Sequence, residues 1–320
     1  MKVQKHSAEF KITTQKEVDI MMFRKFFYYT SAVILAVSLA GTVFLSRYAE
    51  AEEPDTDGVI RVIVRGDDMG SCHAANAGCI KSYREGIMQT VEVMVPCPWF
   101  EEAAKMLREN PGLDVGVHLT LTSEWANYKW RPLTCAPSLV NEDGYFYPQT
   151  KQWDGQPAGR GFLDAGPNLE EVEKELRAQI ELAIKKIPQV SHLSAHMKTA
   201  ISTPELMELA IRLAKEYKLY IDLREYGVKL IYGIGKGTDA PSEREAALIE
   251  ILENLEPGLW LLLEHPGLDT PEMRAIGHSG YEHVANDRGG VTTAFTSKKV
   301  KELIESKGIK LISYRDLKRD

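Results

Sequence analysis

Two aspartates stand side by side where an apolar run ends, in Val62-Ile63-Val64-Arg65-Gly66-Asp67-Asp68-Met69-Gly70. Adjacent carboxylates repel, so the pair marks either a turn or helix cap, or a place where something positive sits between them. Three more polar clusters follow: Gly116-Val117-His118-Leu119-Thr120, Ser191-His192-Leu193-Ser194-Ala195-His196 and Leu263-Glu264-His265-Pro266-Gly267. Taken singly, each has a bland reading. His118 could be a hydrogen-bonded core histidine, His192 a structural neighbour of His196, and His265 punctuation before Pro-Gly. Taken together, Asp and His are a ligand set for a hard or borderline divalent cation. A cation also accounts for the carboxylate pair, because one Asp can bind it while the other, held ionised by its charge, stays free as a base. His192 and His196 are four apart, a ligand pair on a helix and one face of a strand.

These clusters need elements that bring them together. Apolar, β-rich runs at Val59–Arg65, Thr90–Val95, Asp114–Thr120, Val190–His196, Leu219–Leu223, Leu259–Leu263 and Lys310–Ser313 read as strands. Between them lie helical patterns, the clearest being Leu169, Val172, Leu176, Ile180, Ile184 and Ile187 at three- and four-residue spacing. Another starts at Thr203-Pro204, an N-cap followed by proline at the first helical position, and runs through Leu206, Leu209 and Leu213. Continuous strand hydrophobicity joined by helices predicts a parallel α/β sheet covered on both faces. Seven such strands suit an irregular (β/α) barrel better than an open sheet. In barrels of this kind polar strand ends share one rim, where chemistry is placed. The stretch Ser123–Pro167 is long for a loop and rich in aromatic residues, including Trp125, Trp130, Tyr145, Phe146 and Tyr147. Loops of that length in compact domains are usually functional.

The 320 residues are 44% hydrophobic and 27% charged with a formal net charge of -7, a globular composition with no basic face for nucleic acid. Residues 1–51 stand apart. The basic Met21-Met22-Phe23-Arg24-Lys25 precedes an apolar run from Phe26 to Leu45, then Ala49-Glu50-Ala51 in an A-x-A pattern. This reads as a signal peptide or an uncleaved N-terminal membrane anchor, followed by one domain over residues 52–320. Export to the periplasm or the exterior is the expectation. Cys72, Cys79, Cys97 and Cys135 show no zinc spacing and read as buried small hydrophobes rather than disulfides.

At the four polar clusters the sequence resembles the YdjC-like carbohydrate deacetylases, the family of chitooligosaccharide deacetylase and hopanoid-linked sugar deacetylases. The family pattern is A-D-D-F-G, then G-x-H-x-x-L-T, then T-H-x-D-S-H, then H-P-G. Here these stand as Gly66-Asp67-Asp68-Met69-Gly70, Gly116-Val117-His118-Leu119-Thr120-Leu121-Thr122, Ser191-His192-Leu193-Ser194-Ala195-His196 and His265-Pro266-Gly267. The likeness spans about residues 60 to 317. It implies an irregular (β/α) barrel and one divalent metal, Mg²⁺ or Zn²⁺, held by Asp68, His118 and His196. It also implies Asp67 as general base, His265 as general acid and an N-acetylated carbohydrate as substrate. Ser194 replaces the acidic residue of T-H-x-D-S-H, which puts the tuning of His196 in question, and Met69 replaces Phe. Trp125, Trp130 and Tyr145 could stack on sugar faces, or their loop could simply pack on itself over the barrel mouth.

Other classes stay open on these residues. A metal-free glycosidase would need carboxyls several ångström apart on opposite sides of the bond, which adjacent aspartates supply poorly. Another metal-dependent amidohydrolase or phosphoesterase could use the same ligands, and an exported carbohydrate-binding protein could keep the barrel without turnover. Oligomeric state, a homodimer included, is left open, as is N- against O-deacetylation.

Overall fold

A computed structural model describes residues 58–155 and 157–317. The segment expected to be a signal peptide or anchor lies outside the described residues.

Among the described residues seven strands form one parallel sheet: β1 (Ile60–Met69), β2 (Thr90–Val93), β3 (Asp114–Leu119), β4 (Val190–Ala195), β5 (Lys229–Ile231), β6 (Gly258–Glu264) and β7 (Lys310–Ile312). The order is β4-β3-β2-β1-β6-β5, with β7 paired to β1. β1 is the axis of the sheet. It pairs with β6 from Ile60 to Gly66, and its other edge is shared by β7 over Arg61–Ile63 and β2 over Arg65–Met69. Among the described residues no ladder joins β4 to β5, so hydrogen bonding leaves the sheet unclosed there.

β1 carries Val62, Ile63 and Val64 fully buried on both faces, as expected of a parallel strand covered on both sides. Its end is irregular. Gly66 pairs with Val91 and Met69 with Val93, three steps on β1 against two on β2, a β-bulge around Asp67 and Asp68. Asp68 takes φ 68°, a left-handed conformation that Asp tolerates better than most residues. In a regular strand neighbouring side chains face opposite ways. The bulge suspends that alternation, so both carboxylates reach the same cavity.

The helix over Leu169–Lys186 buries Val172, Leu176, Ile180 and Ala183, and Asn168 caps its first turn by accepting from the N–H groups of Glu170 and Glu171. Leu169 and Ile184 stay exposed. The helix over Pro204–Glu216 starts where expected, with the Thr203 side chain accepting from the Leu206 N–H. One expected strand is absent. Leu219–Leu223 alternates apolar residues, but Asp222 accepts from the Arg224 N–H and caps a single 3₁₀ turn over Leu223–Tyr226, which ends at left-handed Gly227. The fifth strand follows at Lys229–Ile231. Strand β4 likewise stops at Ala195, and His196 opens a 3₁₀ stretch instead of ending the strand.

The aromatic insertion is held onto the sheet and its helices. Buried Glu175, on the Leu169–Lys186 helix, accepts from the N–H groups of Leu133 at 3.0 Å and Thr134 at 2.9 Å. Trp130, Phe146 and Phe162 are packed beneath it. Leu176→Ala is expected to lower the unfolding free energy by about 2–5 kcal/mol, and exposed Leu169→Ala to change it by about 0.5 kcal/mol or less, in chemical denaturation.

Candidate active site

The strand ends β1, β3, β4 and β6 bring the four polar clusters to one cavity of about 390 Å³. Asp67, Asp68, His118, His196 and His265 all line it. The two aspartates do not share one counter-charge. Arg65 forks onto Asp67, Nε to Oδ1 at 2.8 Å and Nη2 to Oδ2 at 3.0 Å. Arg288, buried on the helix over Val284–Thr296, donates to Asp68 Oδ2 at 2.6 Å. Asp68 Oδ1 is left buried with no hydrogen-bond partner.

Around that orphan oxygen stand two ring nitrogens, His118 Nε2 at 3.6 Å and His196 Nδ1 at 3.3 Å. The three ligand atoms lie within 4.8 Å of one another. Donors about 2.0–2.2 Å from a shared cation stand about 3–3.4 Å apart, so the cluster needs only a small contraction to hold one. A buried carboxylate oxygen without a hydrogen bond is costly unless positive charge completes it, from a protonated His196 3.3 Å away or from a bound cation. The other nitrogen of each ring is engaged, His118 Nδ1 with Ser194 Oγ at 2.7 Å and His196 Nε2 with Glu124 Oε2 at 3.0 Å. This orients both rings toward Asp68 as metal-binding histidines require.

The electrostatics separate the groups. Burial alone would raise the Asp68 carboxyl, but Arg288, then His265 and His196, outweigh it and hold it well below the usual carboxylate range. Burial pushes the His118 ring below its ordinary value despite Asp67, which favours the neutral form that ligates. Burial also works against a charged His196, yet Glu124 and Asp68 prevail and push the ring up to about 10. Between two carboxylates, that position selects positive charge, whether a proton or a cation.

His265 lies 4.0 Å from Asp68 Oδ2 with its side chain 40% exposed, at the solvent side of the cavity. Trp125 lines the cavity wall, its ring stacked on His278 with centroids 5.7 Å apart and covered by the Arg288 guanidinium at 5.3 Å. Trp130 and Tyr145 are not among the lining residues. Trp130 is buried with its indole N–H donating to Thr122 O, and Tyr145 lies under the Arg131 guanidinium. Most of the insertion's aromatic surface is therefore spent on its own packing.

His192 does not reach the cavity. Its Nε2 meets Glu92 at 2.7 Å and its ring stacks on Tyr314 with centroids 3.7 Å apart. Ser194, whose departure from the family pattern bore on His196, touches His118 instead. Arg65, Glu92, Glu124 and Arg288 were not foreseen. A charge inside an apolar strand flags Arg65 and Glu92, whereas nothing local flags Glu124 or Arg288.

The profile of the YdjC-like protein family matches residues 61–306. The chain belongs to the YdjC-like family. A relative called carbohydrate deacetylase from Thermus thermophilus is 34% identical over 235 residues, covering 67% of this chain and 80% of its own. Another of that name, from Enterococcus faecalis, is 28% identical over 275 residues, covering 80% of this chain and 98% of its own. A solved structure from Enterococcus faecalis, described as a candidate cellobiose-phosphate cleavage protein, superposes with a TM-score of 0.64 at 25% identity, covering 82% of this chain and 100% of that one. In this YdjC-like chain His192→Ala leaves Oε1 of the buried Glu92 carboxylate without its hydrogen bond while Ser194 still donates to Oε2. It is expected to cost about 1–3 kcal/mol in denaturation, against about 0.5 kcal/mol or less for exposed Trp153→Ala.

Proposed function

We propose that this YdjC-like protein is a metal-dependent hydrolase that removes acetyl groups from N-acetylated sugars or oligosaccharides, built on an irregular (β/α) barrel. The observation that carries the reading is the orphan Asp68 Oδ1 facing two oriented imidazole nitrogens. The naming of its relatives as carbohydrate deacetylases supports the reaction class.

Asp68, His118 and His196 hold one divalent ion, Mg²⁺ or Zn²⁺. When bound, it supplies Lewis-acid polarisation of the acetyl carbonyl and a water more acidic than bulk. Arg288 keeps Asp68 single-handed by occupying Oδ2, so Oδ1 alone is offered. Asp67, held by the Arg65 fork beside that site, takes the proton of the attacking water as general base. His265, partly open to solvent, donates a proton to the departing amine, which is a poor leaving group without one. Trp125 is buried in the cavity wall, its ring already stacked on His278 and covered by the Arg288 guanidinium, so it backs the wall that a sugar would meet and offers no open ring face itself. The N-terminal apolar run is consistent with an exported enzyme.

The test is acetate release from a panel of N-acetylated oligosaccharides, before and after chelation and metal return. Chelation is expected to abolish release and the returned metal to restore it. Asp67→Asn is expected to retain bound metal while losing about 10²–10⁴ in rate, and His118→Ala and His196→Ala to lose the metal. Reducing sugar or phosphate as product, or acetate release indifferent to chelation, sinks the reading.

A further inference from the structure

Glu92 lies fully buried in the middle of β2, an ionisable side chain in the interior of a parallel sheet. Such a group is costly unless donors surround it. Here Oε1 takes a hydrogen bond from His192 Nε2 at 2.7 Å, Oε2 takes one from Ser194 Oγ, and Arg65 Nε stands 3.8 Å away. Room for this is made by Gly116 on β3, where a Cβ would fall 2.1 Å from Glu92 Oε2 and 2.6 Å from His192 Nε2. The arrangement is thus built into three neighbouring strands.

Its directionality decides what it does. An ionised carboxylate only accepts, and a serine hydroxyl has one proton. Ser194 spends that proton on Glu92, so toward His118 its oxygen can only accept. The 2.7 Å contact between Ser194 Oγ and His118 Nδ1 therefore requires the proton on Nδ1. His118 Nε2 is then left as a bare lone pair beside Asp68 Oδ1.

We propose that Glu92 is a positioning residue for His118: acting through Ser194, it fixes the Nδ1–H tautomer and aims the Nε2 lone pair into the metal cluster. The inference rests on the proposed metal site and deepens it. Where the resembled family pattern has an acidic residue at position 194, this chain has a serine that borrows the carboxylate of the next strand but one, through one added hydroxyl.

The experiment uses the full chain and Zn²⁺ alone, with affinity read by competition against a chromophoric chelator. Ser194→Ala is expected to weaken Zn²⁺ about 10–100-fold at unchanged stoichiometry. Ser194→Asp combined with Glu92→Gln, which brings a carboxylate directly to the ring without setting it against the buried Glu92 carboxylate, is expected to recover most of it. Glu92→Gln should weaken Zn²⁺ in the parent but add nothing in the Ser194→Ala background, because one relay is already broken. Nitrogen-15 NMR of the metal-free chain should show the His118 proton on Nδ1 in the parent and a mixture of tautomers in Ser194→Ala. Parent-like affinity in Ser194→Ala, or a Glu92→Gln loss of equal size with and without Ser194, overturns the relay. Should Glu92→Gln fail to fold, the Ser194 variants decide the matter. A parent that takes up no Zn²⁺ overturns the metal reading itself, and the metal-free NMR still distinguishes that from a failed relay.

Discussion

The structure depends on one break in regularity, the bulge that turns two consecutive side chains of β1 the same way. Two carboxylates in a dry cavity repel strongly, and the fold answers by giving each its own guanidinium. Arg65 comes from the same strand and Arg288 from a helix far along the chain. The division leaves one oxygen, Asp68 Oδ1, without a donor. Three histidines of the cavity are arranged about this carboxylate, with His118 and His196 presenting opposite nitrogens to Oδ1 and His265 standing on the side of Oδ2.

The same solution recurs away from the cavity. Glu175 and Glu92 are both buried carboxylates, and both are saturated by donors instead of neutralised by a single partner. Glu175 uses backbone N–H groups to fasten the long insertion to a helix. Glu92 uses His192, Ser194 and the nearby Arg65 to tie β2, β4 and β1 together beneath the cluster of Asp68, His118 and His196. In a parallel sheet covered on both faces, polar groups of this kind survive only as closed networks, and here the network runs up to the ligands themselves.

Much of the architecture was legible in the sequence because it follows from periodicity. The helix over Leu169–Lys186 and the N-cap at Thr203 follow from apolar spacing and cap chemistry, and continuous apolar strands predict parallel pairing. Leu219–Leu223 was misread because apolar alternation there is local, while Asp222 and Gly227 impose a turn. The meeting of Asp68, His118 and His196 was legible as polar punctuation at strand ends. Their partners were not. Glu124 sits in an irregular loop and Arg288 in a helix 220 residues from Asp68, and each acquires its meaning only from a contact across the fold. The left-handed φ of Asp68, on which the shared orientation of the aspartates rests, has no signature beyond the residue's tolerance for it.

The candidate ligand atoms come from β1, from β3 and from the turn after β4, which adjoin one another only once the order β4-β3-β2-β1 is complete. An ion gripped by all three would recognise the native chain and ignore the unfolded one. By mass action each tenfold of saturation then adds about 1.4 kcal/mol to native stability. Against a margin of roughly 5–15 kcal/mol for a typical domain, that would make a bound ion a folding ligand as well as a reagent. With such an ion, the supply of free metal would govern how much of the protein escapes proteolysis, and starvation for it would remove the polypeptide along with its chemistry.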